Sequence, residues 1–446
     1  MKLALAGDTM LGRKVGEKLS GNASLTAFFS GGVVAVVKEA DAFFLNLECA
    51  ISDRGQRWPA ARKPFFFRAP PVAAEVLACL GVSCVTLANN HALDWGLEGM
   101  RATGRYLDEA GIVYAGVGED RGLARAPRFL ETTKARIALV SIASTFRPTT
   151  DALPPHDAAP GRPGLNALHV TRTIVLPAAA MRSLAAIDCE THGLHCRETP
   201  AELELFDLKY RLGKAFEYDY EMDPEDLAEI GKSIRSARQN ADLVIVSIHS
   251  HECTVGCDDP NKPRGAGDFL RRLAHEAIDS GADVFVTTGN HNLGAIELYR
   301  SPRRGLRPIF YGLGNFFWSD IQLPLPHDLF QGNRALLASA WQDPQKATDY
   351  DLTAPLNTQS FAHDFTFRSV IAVSRFARDE LAEVRLYPIE HGYGERLPRS
   401  GIPRLVSDAA TSAAIFKEIE EATRVYGLPP LEWHIADNVA TLGGAH

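Results

Sequence analysis

Short apolar runs alternate with segments of helical spacing along most of the chain. "KLALAG" (2–7), "DAFFLNLE" (41–48), "VSCVTLANN" (82–90), "RIALVSIA" (136–143), "DLVIVSIHSH" (242–251), "ADVFVTTGN" (282–290) and "RPIFYGLGN" (307–315) predict strands. Between them, "GLEGMRATGRYLDEAG", "PEDLAEIGKSIRSARQN" and "GDFLRRLAHEAIDSG" have the i, i+3, i+4 spacing of helices and end at Gly or Asn. Strands alternating with helices predict an α/β protein with a largely buried sheet. "FTFRSVIAVSRF" and "LAEVRLYPIE" add two strands near the end, and "SDAATSAAIFKEIEEATRVYG" predicts a C-terminal helix. The rhythm breaks over 146–222 and 319–362, which read as insertions or lids over a site. The expected organisation is one domain over 1–400 that carries both insertions, then a helical extension over 401–446.

The polar residues gather where the strands end. Asp8 follows the first strand, and Asn46 and Glu48 the second. Asn89, Asn90 and His91 follow the third, with Asp94 close behind. His249, His251 and Glu252 end a later strand, Asn290 and His291 the next, and Asn315 the one after. In open α/β sheets ligands bind outside the carboxyl ends of the strands. Oxygen and imidazole donors together suit a divalent first-row metal such as Mn, Zn or Fe better than calcium. The i, i+2 spacing of His249 and His251 places both rings on one side of a continuing strand. Either both face one metal, or one binds metal and the other touches substrate.

Composition narrows the class. Hydrophobic residues at 46% and charged residues at 23% are ordinary for a globular protein of 446 residues. A net charge of −8 without a basic cluster argues against nucleic acid as a partner. "MKLALAGDTMLGRK" breaks at Asp8, too early for a signal peptide, and no apolar run reaches membrane-spanning length. Seven cysteines in a chain of this size predict reduced thiols and a cytoplasmic location. "DCETHGLHC" (188–196) offers Cys189, His192, His195 and Cys196 in a spacing that fits no zinc-finger pattern, and Cys253 and Cys257 read as inert thiols.

"GDTMLGR", "NLECAIS", "LANNHALDWG", "AGVGED", "VSIHSHE", "TTGNHNLGAIELY" and "IFYGLGNFFW" occur in one order and spacing. That order resembles the CapA family of poly-γ-glutamate capsule biosynthesis proteins, itself similar to calcineurin-like metallophosphoesterases, over about residues 1–320. The resemblance implies a four-layer α/β/β/α metallophosphoesterase-like fold. It implies Asp8, Glu48, Asn90, His249 and His291 as metal ligands. It implies His91 as general acid and Asp94 as the residue that orients it. Two positions depart from the pattern: Met10 and Leu293 stand where the superfamily has histidines. One metal is therefore expected to be held firmly through Glu48, Asn90, His249 and His291. A second would be weak, absent or rebuilt from Asp8 and His251.

Such a cation lowers the pKa of a bound water and polarises a phosphoryl or carbonyl oxygen. Arg13 and Lys63 are candidates to hold an anionic substrate, either a small molecule or a γ-glutamyl-type polymer. The expected activity is metal-dependent hydrolysis of a phosphoester or amide bond. The alternative is a non-catalytic, accessory role in γ-glutamyl or cell-envelope polymer synthesis.

Overall fold

The computed structural model describes residues 1–21, 29–59, 63–193, 199–256, 265–319, 325, 327–340, 349–356, 364–393, 395 and 400–443. Its centre is a pair of β-sheets. Among the described residues the larger sheet has ten strands. Lys2–Thr9, Ala42–Leu47, Cys84–Thr86 and Val113–Ala115 run parallel on one side of it. Arg368–Ala377 joins the other side of Lys2–Thr9 antiparallel, followed by Glu380–Glu390. The second sheet has six strands, with Arg136–Ala143, Leu243–His249, Val284–Thr288 and Gly305–Phe310 parallel at its centre.

The apolar runs are nearly continuous because both faces of each sheet are covered. In the larger sheet Ala4, Ala6, Phe43 and Leu45 pack toward helices Arg13–Ser20, Gly31–Lys38 and Val72–Leu80. Leu3, Leu5 and Phe44 face the other way and share one core with Ile137, Leu139, Leu243, Ile245, Val284 and Val286 of the second sheet. The far face of that sheet, with Val244, Val246 and Ile248, packs on helices Pro224–Asn240 and Asp268–Ser280. Alternation of side chains along each strand thus builds four layers, α/β/β/α.

Both insertions and the C-terminal region hold more structure than their sequences predict. Within 146–222 lie helix Ala178–His192 and a four-stranded sheet formed by Val170–Pro177, Glu202–Leu205, Leu208–Gly213 and Glu217–Met222. Tyr220 and Met222 of that sheet reach the core beneath helix Asp268–Ser280. Within 319–362 lie three short helices, His327–Gly332, Arg334–Ala340 and Asp349–Leu356. The C-terminal helix Ala409–Val425 drives Ile415, Phe416 and Ile419 into the inter-sheet core. A hairpin follows it, Trp433–Ala436 with Val439–Leu442, and extends the edge of the larger sheet. The region beyond 400 is therefore not helical alone.

Reduced thiols are found at Cys49, Cys79 and Cys84. Cys189 and Cys253 are disulfide-bonded, contrary to expectation. His195, Cys196 and Cys257 lie outside the described residues. No helix among the described residues is long and apolar enough to cross a membrane.

Candidate metal centre

The parallel strands of both sheets end at one edge of the sandwich, and the polar strand-ends meet there. Period-two alternation puts His249 on the face of Leu243 and Ile245, toward the other sheet. It puts Asn46 and Glu48 on the face of Ala42 and Phe44, toward His249. Two overlapping donor groups result: Glu48 with His249 and His251, and Asp8 with Glu48 and His291. Within each, the donor atoms lie within 4.8 Å of one another. Glu48 is common to both.

Glu48 is buried, and among the described residues neither carboxylate oxygen has a hydrogen-bond partner. His249 Nε2 is 3.7 Å and His291 Nε2 is 3.8 Å from Glu48 Oε1, too long for hydrogen bonds. Burial pushes the Glu48 carboxyl well above its usual range. The Asn90 side-chain oxygen is likewise buried and unpartnered. An orphaned carboxylate costs several kcal/mol unless something cationic occupies the gap (about 1–3 kcal/mol even for a neutral group). The donors present therefore fit a divalent cation, through Glu48, His249 and His251 or through Asp8, Glu48 and His291.

The surrounding bonds aim the donors. His249 Nε2 and His251 Nε2 converge to 3.1 Å. His249 Nδ1 lies 3.4 Å from both Thr288 Oγ1 and Asn46 Nδ2, and Nε2 is the nitrogen that faces Glu48 and His251. Burial drives the His249 pKa down to about 3, so the ring is neutral. His291 Nδ1 faces Asp8 Oδ2 at 3.1 Å and Asn315 Oδ1 at 3.0 Å, leaving Nε2 toward Glu48. Burial lowers the His291 pKa, but the Glu48 and Asp8 charges outweigh it and raise the value to about 9. Burial raises the Asp8 carboxyl, yet the His291 bond and charge, with His249 and Asn46, bring it below its usual value. The Gly289 N–H donates to both Asp8 oxygens at 3.0 Å.

The late turn is strained at His291. His291 has φ 57°, which a non-glycine residue adopts rarely. Gly289 has φ 98°, and a Cβ there would lie 2.7 Å from His249 Cε1 and 2.9 Å from His251 Cδ2. Only glycine lets the backbone approach both rings.

Beside this centre stands His91, with Nδ1 at 2.7 Å from Asp94 Oδ2. Asp94 also accepts from the Phe67 N–H at 2.5 Å and pairs through Oδ1 with Lys63 Nζ at 2.5 Å. Phe67 stacks on His91 with ring centroids 4.0 Å apart. Burial lowers the His91 pKa to about 4.

The two expected substrate cations are engaged elsewhere. Lys63 is buried and donates to the Asn90 carbonyl at 2.7 Å as well as pairing with Asp94. Arg13 donates to the Ser319 carbonyl at 2.8 Å and lies over the Phe65 and Phe67 rings. Asn89 is a buried brace: its amide donates to Asn46 Oδ1 and the Leu47 carbonyl, and its oxygen accepts from the His91 N–H. Met10 and Leu293 are both buried in apolar clusters and offer no ligand. Sequence reasoning passed over Phe67 and Thr288. The "KPFFFR" run, a cation followed by three aromatics, was the only available signal for the first.

The chain belongs to the bacterial capsule synthesis protein PGA_cap family, whose model matches residues 2–319. It is 36% identical over 410 residues to the uncharacterized protein y4sH of Sinorhizobium fredii (strain NBRC 101917 / NGR234), covering 89% of this chain and 85% of that one. A probable polyglutamine synthesis accessory protein of Mycobacterium tuberculosis is 26% identical over 320 residues, 70% of this chain and 65% of that one. The capsule biosynthesis protein CapA of Bacillus anthracis is 24% identical over 319 residues, 71% of this chain and 59% of that one. Among solved structures, a putative 5'-nucleotidase from Staphylococcus aureus in complex with alpha-ketoglutarate aligns with a TM-score of 0.36 and 8% identity, over 94% of this chain and 58% of that one. That likeness carries no argument; the four layers rest on the sheets and cores themselves.

Proposed function

We propose that this protein is a metal-dependent hydrolase acting on a phosphoester or amide bond of an anionic substrate. The observation that carries this reading is Glu48, a buried carboxylate without a hydrogen-bond partner, facing His249 and His291. A divalent cation bound there would lower the pKa of a water and polarise the scissile phosphoryl or carbonyl group. The protein's own part is orientation and proton handling. Asp94 accepts the His91 Nδ1–H, so Nε2 is the atom that exchanges a proton with substrate. His91 rests neutral at pH 7, hence as a proton acceptor. An anionic substrate raises its basicity and lets it later protonate a leaving group. Lys63 and Phe67 hold the dyad in place rather than touch substrate.

Metal analysis of protein purified without chelator, followed by a screen of phosphoesters and γ-glutamyl amides, tests the proposal. Metal bound by the wild type and lost with His249→Ala, together with cleavage of one substrate class, supports it. Failure to bind Mn, Zn or Fe removes it.

A second reading is an accessory, non-catalytic role in γ-glutamyl polymer synthesis. It is favoured by Met10 and Leu293, apolar where a second metal's histidines would stand, and by the names of the M. tuberculosis and B. anthracis relatives. Metal binding without turnover of any ester or amide would select it.

A further inference from the structure

Three cations lie near the candidate centre, and two are spent. Lys63 neutralises Asp94, and Arg13 is bound to the Ser319 carbonyl. The third is Arg147. It lines a pocket beside Asn90 together with Trp58, Lys63, Leu93, Asp94 and Thr150. Among the described residues nothing accepts from its guanidinium; its recorded bonds are to its own carbonyl, from the Thr150 N–H at 3.2 Å and Thr150 Oγ1 at 2.7 Å. The residue is half-buried.

The segment that carries Arg147 is pinned to the centre. It follows strand Arg136–Ala143, which pairs in register with Leu243–His249. The Ser144 N–H donates to the His249 carbonyl at 3.0 Å, and the His251 N–H donates to Thr145 Oγ1 at 2.7 Å. Glu252 accepts from Ser144, Thr145 and Ser250 hydroxyls, which fixes the same turn. A guanidinium on an anchored turn loses little freedom when it binds. Its planar fork matches the two oxygens of a carboxylate or phosphate. Its charge is felt within the pocket: Lys63, whose pKa burial lowers, is lowered further by Arg147.

We propose that Arg147, with Trp58 forming the adjoining wall, is an oxyanion subsite of this centre that binds a carboxylate or phosphate group of the substrate. The subsite rests on the metal-centre reading only for its place beside the reacting bond. Arg147 supplies the open positive charge of this pocket, since the Asp94 carboxylate that also lines it is already paired with Lys63 and His91.

The test is calorimetric titration of inorganic phosphate and, separately, of γ-glutamylglutamate. The titrated proteins are the wild type, Arg147→Gln and Arg147→Lys, each metal-loaded and chelated, with metal content and circular dichroism recorded alongside. Arg147→Gln should weaken one probe by about tenfold to a hundredfold, the value of a charge-assisted hydrogen bond. Arg147→Lys should retain part of the affinity, and metal content should not change. Weakening confined to phosphate assigns a phosphoester substrate; weakening confined to the dipeptide assigns a carboxylate. Equal affinity in wild type and Arg147→Gln overturns the subsite, as does failure of the wild type to bind either probe. Metal retained with no Arg147 effect removes the subsite and leaves the centre. An Arg147 effect in protein that binds no metal removes the centre and leaves the subsite.

Discussion

Two buried glutamates in this molecule stand beside histidines, and they do opposite things. Glu297 accepts from His275 Nε2 at 2.9 Å and from the Tyr311 hydroxyl at 2.8 Å, with Arg271 at 3.9 Å. Glu48 has His249 and His291 at 3.7 and 3.8 Å and no bond to either oxygen. Proximity of a carboxylate to imidazole therefore does not define a metal site. Satisfaction decides: a closed network is structural, and an open one is costly until something fills it. Tyr311 illustrates the closed case, since burial and then the Glu297 charge push its phenol far above the usual range, fixing it as a donor.

Swapping each glutamate for glutamine is the sharpest way to break that contrast. Glu48→Gln should abolish metal retention and reduce metal-dependent turnover by more than about a hundredfold, whereas Glu297→Gln should change neither beyond what its stability loss dictates. Elemental analysis and a rate assay read both. Next in size is the response to metal itself. A divalent ion at a hundred times its Kd should stabilise the wild type by about 2.7 kcal/mol, seen as a rise in Tm, and leave Glu48→Gln unmoved.

The order should invert in chelated protein. There Glu297→Gln should cost about 1–3 kcal/mol, because its partners lose a charged acceptor, while Glu48→Gln should be neutral or stabilising. Denaturant unfolding distinguishes them, and a large loss from Glu48→Gln would mean that its oxygens are satisfied after all.

The last contrast is in pH. In chelated protein His249 and His91 are held near about 3 and about 4, below the ordinary histidine value of about 6.5. The unfolded chain takes up those protons first, so stability falls as pH drops from about 6.5 toward 4. His291, raised to about 9, has the opposite sign: its contribution is complete below about 6.5 and disappears as pH rises through 9. Coordination expels that proton, so metal affinity should rise with pH across the same interval. Flat affinity from pH 6.5 to 9 would rule out His291 as a ligand.

Much of the fold was legible because the strands carry near-continuous apolar runs and the helices end at clear stops. Leu243–His249, Val284–Thr288 and Pro224–Asn240 fall where the pattern puts them. The hairpin after 430 was not legible, since Trp433–Ala436 is largely exposed and lacks alternation. Nor was the four-stranded sheet within 146–222, whose strand Leu208–Gly213 is mostly solvent-facing. The hairpin extends the larger sheet and the other is a separate small sheet, and each meets the main cores through few side chains, Ala440 and Leu442 in one, Tyr220 and Met222 in the other.

Local order placed the polar residues, because one that follows a buried strand must emerge at its carboxyl end; the family resemblance then singled out Asp8, Glu48, Asn90, His249 and His291 among them. Which sheet each strand joins depends on pairings hundreds of residues apart, such as Asp8 with Asn315. Only the folded chain could bring Glu48 of one sheet against His249 of the other. Only there does it become visible that Lys63 is spent on Asp94 while Arg147 has no acceptor among the described residues, because charge pairing belongs to three-dimensional neighbours and leaves no trace in spacing along the chain.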